Sequence, residues 1–356
     1  MFLRKYLYGL IGIALLTLQS NPVAATQTIK LTAVAGFPPF LVFVKIFEEV
    51  MVPGVDKRLA TAGGKYKIEW TRAYGGAIAK EENTLEAIED GLGDLGFVPF
   101  IFEQSKLPLL QVSYVAPFVS ANPALLHEVQ EEMHRTIPAL NASWHRQKQI
   151  YLVGTTINSF QVFSRKPFNA VADLKGLKIG LAGPLAAWIK GTGAVPVNNP
   201  ITEGYTALKS GVIDADIIFP VGAFAFKLYE PAPHVVKVNL GAAWSATITF
   251  NKKRWEGLPA AVRKAFKDTS LDYSMAYRKA IVGLGNHVYA EMSKKGAKVT
   301  EFPEAERKKW VMGMPNVAQQ WAAPLESKGL PAKKILAAYI DGVRKRGGKI
   351  IRDWSK

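Results

Sequence analysis

The 356-residue chain contains no cysteine. That excludes a disulfide framework, a thiolate metal site and a lipid-modified N-terminal cysteine. Histidine is scarce as well. His127, His134, His145, His234 and His287 are the five present, and none stands in HExxH or another metal-ligand spacing. There is no GxSxG elbow and no phosphate-binding P-loop. Acid is in short supply: 29 Asp and Glu face 45 Lys and Arg, for a formal net charge of +16. Beyond the first twenty residues no apolar run is long enough to cross a bilayer.

The first residues read as an export leader. Arg4 and Lys5 form a basic start, an apolar run follows from about Tyr8 to Leu18, and Val23-Ala24-Ala25 offers small residues at the two positions a signal peptidase reads. Cleavage after Ala25 is expected, giving a soluble periplasmic protein. The remaining ~330 residues exceed the size at which one core keeps growing and predict two lobes. With Arg4 and Lys5 gone, 43 bases face 29 acids, a net charge of about +14. Such a surface favours anionic headgroups or acidic partners. The bases are spread along the chain rather than striped, which argues against nucleic acid. Their densest cluster is Arg344-Lys345-Arg346 with Lys349 and Arg352, and it reads first as a solvated C-terminal face.

Thr28–Val34 alternates polar and apolar residues and ends at Gly-Phe-Pro-Pro, a strand opening into a loop. Phe40–Val52 predicts a helix, Tyr66–Thr71 a strand, Lys80–Asp90 a helix stopped by Gly91, and Asp94–Phe100 a strand. This order is that of an α/β lobe with a parallel sheet. Pro123–His145 reads as a long polar helix or helix pair, and Ile150–Thr155 as a strand. The pattern then restarts: strands over Ser159–Ser164, Leu177–Leu181, Val195–Val197 and Ala215–Phe219, with helices over Leu185–Thr192 and Tyr205–Ser210. Val235–Val238 and Ser245–Asn251 return the chain toward the first lobe. From Ala260 the pattern is mostly helical, with breaks at Gly and Pro. Two crossings between two lobes make a hinge, and a hinge makes a cleft.

Two apparent motifs carry little. Gly91-Leu92-Gly93-Asp94-Leu95-Gly96 matches GxGxxG, yet a helix precedes it and a strand follows. A pyrophosphate would therefore meet the wrong end of the helix dipole, and the segment is a helix-to-strand turn. Asp214 and Asp216, at spacing two on a strand, share a face and could serve acid–base work. A strand edge at the mouth of the second lobe is the plainer reading, because no nucleophile, base or metal set accompanies them.

Four phrases together resemble the DctP-type substrate-binding proteins of tripartite ATP-independent periplasmic (TRAP) transporters. Val171–Ile179 is similar to that family's "DLKGLKIR" strand, Tyr205–Asp214 to "LYTALQTGVVDG", Phe250–Trp255 with Leu258-Pro259 to "VNKKTWDKLP", and Gly91–Val98 to "GTIDMALV". The resemblance implies a two-lobed periplasmic-binding-protein fold, each lobe a mostly parallel sheet flanked by helices. Lobe I would hold residues 26–154 and about 243–285. Lobe II would hold 155–242 and about 286–356 with the C-terminal helices. It implies capture of one small solute and delivery to inner-membrane transporter subunits, with no cofactor and no chemistry.

The chain departs from that family where the ligand is held. An arginine after "LKI" usually clamps a carboxylate, because a guanidinium–carboxylate pair is directional and always charged. Here Gly180 stands at that place. A second arginine position falls on Gln161 after Phe160, or on Ser159 if the preceding loop aligns without a gap. The polar "QENP" segment becomes Asp216-Ile217-Ile218-Phe219-Pro220. Aromatics gather at strand ends instead: Phe37 and Phe40, Tyr74 before Gly75-Gly76, Phe97, Phe100, Phe160, Trp188, Phe219, Phe224 and Trp244. With Asn158, Gln161 and Gly180 they form the candidate ligand contacts, and Gly180 is expected to widen the pocket. A buried carboxylate without its arginine is costly, so an apolar cargo is expected: aromatic, alicyclic or sterol-like. Two alternatives stay open. The chain could be a periplasmic lipid carrier serving a non-TRAP system. It could also be a receptor for an organic acid with the clamp moved to Lys178, Lys190 or Lys227.

Overall fold

The computed structural model describes residues 26–356; the expected leader and its cleavage site lie outside them. Along the described chain the strands are β1 (Gln27–Val34), β2 (Tyr66–Ala73), β3 (Leu95–Val98), β4 (Gln149–Ile157), β5 (Gln161–Ser164), β6 (Lys178–Leu181), β7 (Val195–Asn198), β8 (Ala215–Ile218), β9 (His234–Lys237), β10 (Ala243–Asn251) and β11 (Lys298–Glu301). They form two sheets, in the orders β2-β1-β3-β10-β4 and β11-β9-β5-β8-β6-β7.

Period-two burial makes the first sheet. In β1, Ile29, Leu31 and Ala33 point into the core while Lys30 faces solvent. The strand runs parallel to β2 from Gln27–Tyr66 to Val34–Ala73. Strand β10 is buried almost throughout, as a central strand covered on both faces must be. Both sheets are mixed, and the reason is the double crossing. Strand β10 re-enters the first sheet antiparallel to β3 and β4, and β5 enters the second antiparallel to β8 and β9.

Two large apolar cores and one small cluster fill the described residues, and each large core draws side chains from both sheets. One joins Val98, Leu126 and Trp144 to Val162, Trp188 and Tyr339. The other joins Leu31, Phe47 and Phe97 to Phe163, Leu228 and Tyr277.

The helix Ala260–Lys294 runs unbroken for 35 residues, about 52 Å. Gly283 and Gly285 do not interrupt it, contrary to the expected breaks. Packing overrides propensity here: a side chain on Gly285 would begin 2.4 Å from Asn158 Nδ2. The helix ties together the first lobe and the β4–β5 crossing. Tyr273 donates to Phe43 O at 3.0 Å, Tyr277 to Thr156 O at 2.5 Å, and Asn158 Nδ2 donates back to Ile281 O at 2.9 Å. Further on, Tyr289 lies under Lys237 of the second sheet.

The C-terminal helices do not sit on the second lobe alone, as their assignment to it assumed. Trp310 donates to Trp188 O, but Trp321 donates to Pro108 O and Trp354 to Pro117 O. Three indoles, those of Trp310 and Trp354 buried and that of Trp321 half-buried, thus strap the chain's end across both lobes, each with its N–H satisfied.

The basic C-terminal cluster is largely occupied. Arg344 pairs with Asp353, Arg346 with Glu128 and Glu132, and Arg352 donates to two carbonyls while lying over Trp354. Lys345 and Lys349 remain exposed. Among the described residues no helix is long and apolar enough to cross a membrane.

Candidate functional site

A cavity of about 60 Å³ lies between the two sheets. Its walls come from the carboxyl ends of strands in both lobes, where α/β folds place ligands. Phe37, Leu41 and Phe43 follow β1; Pro99, Ile101 and Phe102 follow β3; Ala182 and Leu185 follow β6. Asn199 and Ile201 follow β7, and Asp216 to Phe219 close the far wall. Ile157 and Phe160, at the crossing, and Tyr114 and Ser245 complete the lining.

The lining is apolar apart from Tyr114, Asn199, Asp216 and Ser245, and it includes no Lys, Arg or His. Asp216 is 2% exposed. Asn199 Nδ2 donates to its Oδ2 at 2.8 Å. Burial pushes the Asp216 carboxyl up to about 8, against the lowering pull of that hydrogen bond. At neutral pH the acid therefore holds its proton. Tyr114, also buried, has its phenol raised beyond its ordinary range by desolvation.

The lobes meet across the mouth. Thr202 of the second lobe donates to Glu81 of the first at 3.1 Å. The Phe40 ring stands edge-on to Phe226 at 5.8 Å. Gly183 adopts φ +52°, and a side chain there would begin 2.7 Å from Ile101 O. A left-handed backbone and a carbonyl this close both demand glycine.

The thirteen expected contacts divide. Phe37, Phe160 and Phe219 line the cavity. Phe40 sits at the rim, 57% exposed. Trp188 stands one layer back, 5.2 Å from the Phe160 ring, and spends its indole N–H on Tyr114 O. Phe97 and Phe100 are core, packed on Phe43 and Tyr114 respectively. Trp244 packs on Tyr339 away from the cavity, although its neighbour Ser245 lines it. Tyr74 is turned to Glu48, and Phe224 stacks on Tyr229. Asn158 and Gln161 face a separate polar groove with Asn239, Lys237 and Tyr289. There Gln161 donates to Asn239 Oδ1 and accepts from Asn239 N, holding that residue at φ +56°.

Gly180 requires a correction. It does not line the cavity. A Cβ there would begin 2.6 Å from Ile213 Cδ1, 3.1 Å from Asp216 Oδ2 and 3.2 Å from Asn199 Nδ2. The missing side chain makes room for the Asn199–Asp216 pair and for Ile213 rather than for ligand. The two aspartates also separate: Asp214 lies outside β8 and accepts from Lys178 N at 2.9 Å, whereas Asp216 faces the cavity. Lys178, Lys190 and Lys227 are all exposed and none lines it.

Sequence reasoning missed Leu41, Phe43, Ile101, Phe102, Tyr114, Asn199, Ile201 and Ser245. Asn199 carried the one readable signal, since Asn198-Asn199-Pro200 directly follows a strand. Among the described residues no three metal-ligating side chains gather in one place.

The model of the bacterial extracellular solute-binding protein family 7 (DctP) matches residues 57–324. A curated relative, the C4-dicarboxylate-binding periplasmic protein DctP of Rhodobacter capsulatus, is 32% identical over 191 residues, 51% of this chain and 55% of its own length. The chain thus spans about half the length of the curated relatives it matches first. A TRAP solute-binding protein from Rhodoferax ferrireducens, solved with copurified benzoate, superposes with a TM-score of 0.78 at 18% identity, covering 90% of this chain and 98% of that one. A marine metagenome TRAP solute-binding protein holding co-purified pyroglutamate gives 0.75 at 22% identity, covering 88% and 99%. These structures share the two-lobed α/β fold. With the family model matched over most of its length, the chain belongs to the bacterial extracellular solute-binding proteins of family 7, a family of transport receptors rather than enzymes.

Proposed function

We propose that this protein is a periplasmic receptor that closes on one compact, mainly apolar molecule and delivers it to the membrane subunits of a TRAP transporter. One observation carries the reading: the interlobe cavity is walled by aromatic and aliphatic side chains and lacks any basic group. A carboxylate entering such a site would surrender its hydration without a guanidinium to replace it.

The cavity, about 60 Å³, is far too small for a sterol or other lipid; a single ring enters only as the lobes part, since a dry cavity that takes up benzene measures ~150 Å³. A lipid carrier would need a much longer apolar channel. The solved relatives hold benzoate and pyroglutamate, both ring compounds. Their carboxylates do not match this cavity, since Lys178, Lys190 and Lys227 stand outside it.

The reading is tested by isothermal titration with succinate and with benzyl alcohol, a neutral single ring. Binding of benzyl alcohol with no detectable succinate binding is expected. Micromolar succinate binding would overturn the proposal.

A further inference from the structure

Asp216 is the single acid lining the cavity, and no base stands beside it. Among the described residues only Asn199 hydrogen-bonds to its side chain, at Oδ2. A carboxyl group can engage several partners, so this one has capacity left on a wall that faces the ligand space. The surrounding elements offer nothing to fill it. From β6 the neighbour is Gly180, and Lys178 on that strand turns to Gly211 O. From the helix Gly204–Ser210 the neighbour is Gly204, while Tyr205 is engaged with Glu230. From β5 the paired residue is Phe163. Across the mouth Glu81 is taken by Thr202. Tyr114 is the one other titratable group on the lining.

We propose that the cavity selects ligands whose polar end is an amine, received by Asp216 with Asn199 alongside, on a compact apolar body. The inference rests on the interlobe cavity being the ligand site. It reverses the charge logic of an arginine clamp: the protein supplies the acid and the ligand supplies the N–H donors. A carboxylate ligand would meet one neutral carboxyl and no cation to balance its buried charge. Burial keeps the empty site's carboxyl protonated at neutral pH, so an ammonium ligand binds with loss of that proton to solvent. The bound pair is then carboxylate and ammonium, and charge balances.

The test is isothermal titration of the full protein at pH 7 with benzylamine, benzyl alcohol and benzoate, three ligands of nearly equal size. Benzylamine is expected to bind at least about tenfold more tightly than benzyl alcohol, with benzoate undetectable. Titrations in buffers of different ionisation enthalpy should show release of up to about one proton. Asp216→Asn should bring the affinities for benzylamine and benzyl alcohol to within about threefold of each other. If that variant fails to fold, the wild-type affinity for benzylamine, rising from pH 6 to pH 8, carries the test. Equal affinity for the amine and the alcohol, with no proton released, would overturn the amine assignment and leave the apolar-receptor reading standing. Failure of every ring to bind, or tightest binding of benzoate, would overturn both.

Discussion

Asn199 Nδ2 donates to Asp216 Oδ2 at 2.8 Å, and the place where a Gly180 side chain would begin touches both groups. The amide and the acid line the cavity wall, and the glycine packs behind them. A larger side chain at position 180 could not enter without displacing the other two.

Gly180→Ala tests that packing. Its Cβ would press on Ile213 at 2.6 Å as well as on the pair. Overpacking of this kind destabilises by about 1–3 kcal/mol. Urea unfolding at pH 7 should show the loss, and an unchanged midpoint would mean that the space is free.

Asp216 also leaves a pH signature in stability. Its carboxyl titrates near 3.8 when unfolded and about 8 when folded. Between those values the native state holds a proton that the unfolded state has released, so its contribution to stability falls as pH rises. It is fully present below about 4 and gone above about 8. Relative to Asp216→Asn, the wild type should lose stability from pH 5 to pH 8. Paired urea titrations at the two pH values measure this without interference from other buried groups.

Gly183→Ala should hold the lobes apart. Its Cβ would stand 2.7 Å from Ile101 O across the mouth, on a backbone at φ +52°. Ligand affinity should fall by about tenfold or more. Small-angle scattering should report a larger radius of gyration than the wild type's. Wild-type values in both measurements would show that this contact does not govern closure.

Ala182→Leu should block the site while sparing the fold. Ala182 lines the cavity and is not fully buried, so three added carbons have the ligand space to enter. Binding of benzyl alcohol should be lost, with a melting temperature within a few degrees of the wild type's. Retained binding would place the ligand elsewhere.

Much of the fold was legible because local pattern and packing agree over most of the chain. The alternation in Thr28–Val34 and the apolar runs at Leu177–Leu181 and Ala215–Phe219 all become strands. Elsewhere tertiary contacts decide. Lys298–Glu301 is a short, mostly exposed edge strand with no apolar alternation to announce it. Gly285 sits inside a helix because Asn158 needs its space. The candidate site was less legible. Phe37, Phe160 and Phe219 stand at strand ends facing the cleft, but Phe97 and Trp188 have the same sequence signature and are core. Which of Asp214 and Asp216 enters the cavity depends on where β8 begins, and spacing alone is silent on that. Tyr114, Ile101 and Phe102 reach the wall from short helical turns, whose period is too brief to show a face.

The position of β10 has a consequence for assembly in time. It lies between β3 and β4, pairing with both, yet it is made of residues 243–251. Until that segment is available the first sheet has an open seam, with two strand edges unpaired. All strands of the second sheet except β11 precede β10 in the chain. The N-terminal lobe is thus begun first and finished late, and vectorial synthesis cannot complete it ahead of its partner. Such long-range closure predicts slow folding, with a long interval in which the exposed edges of β3 and β4 need shielding.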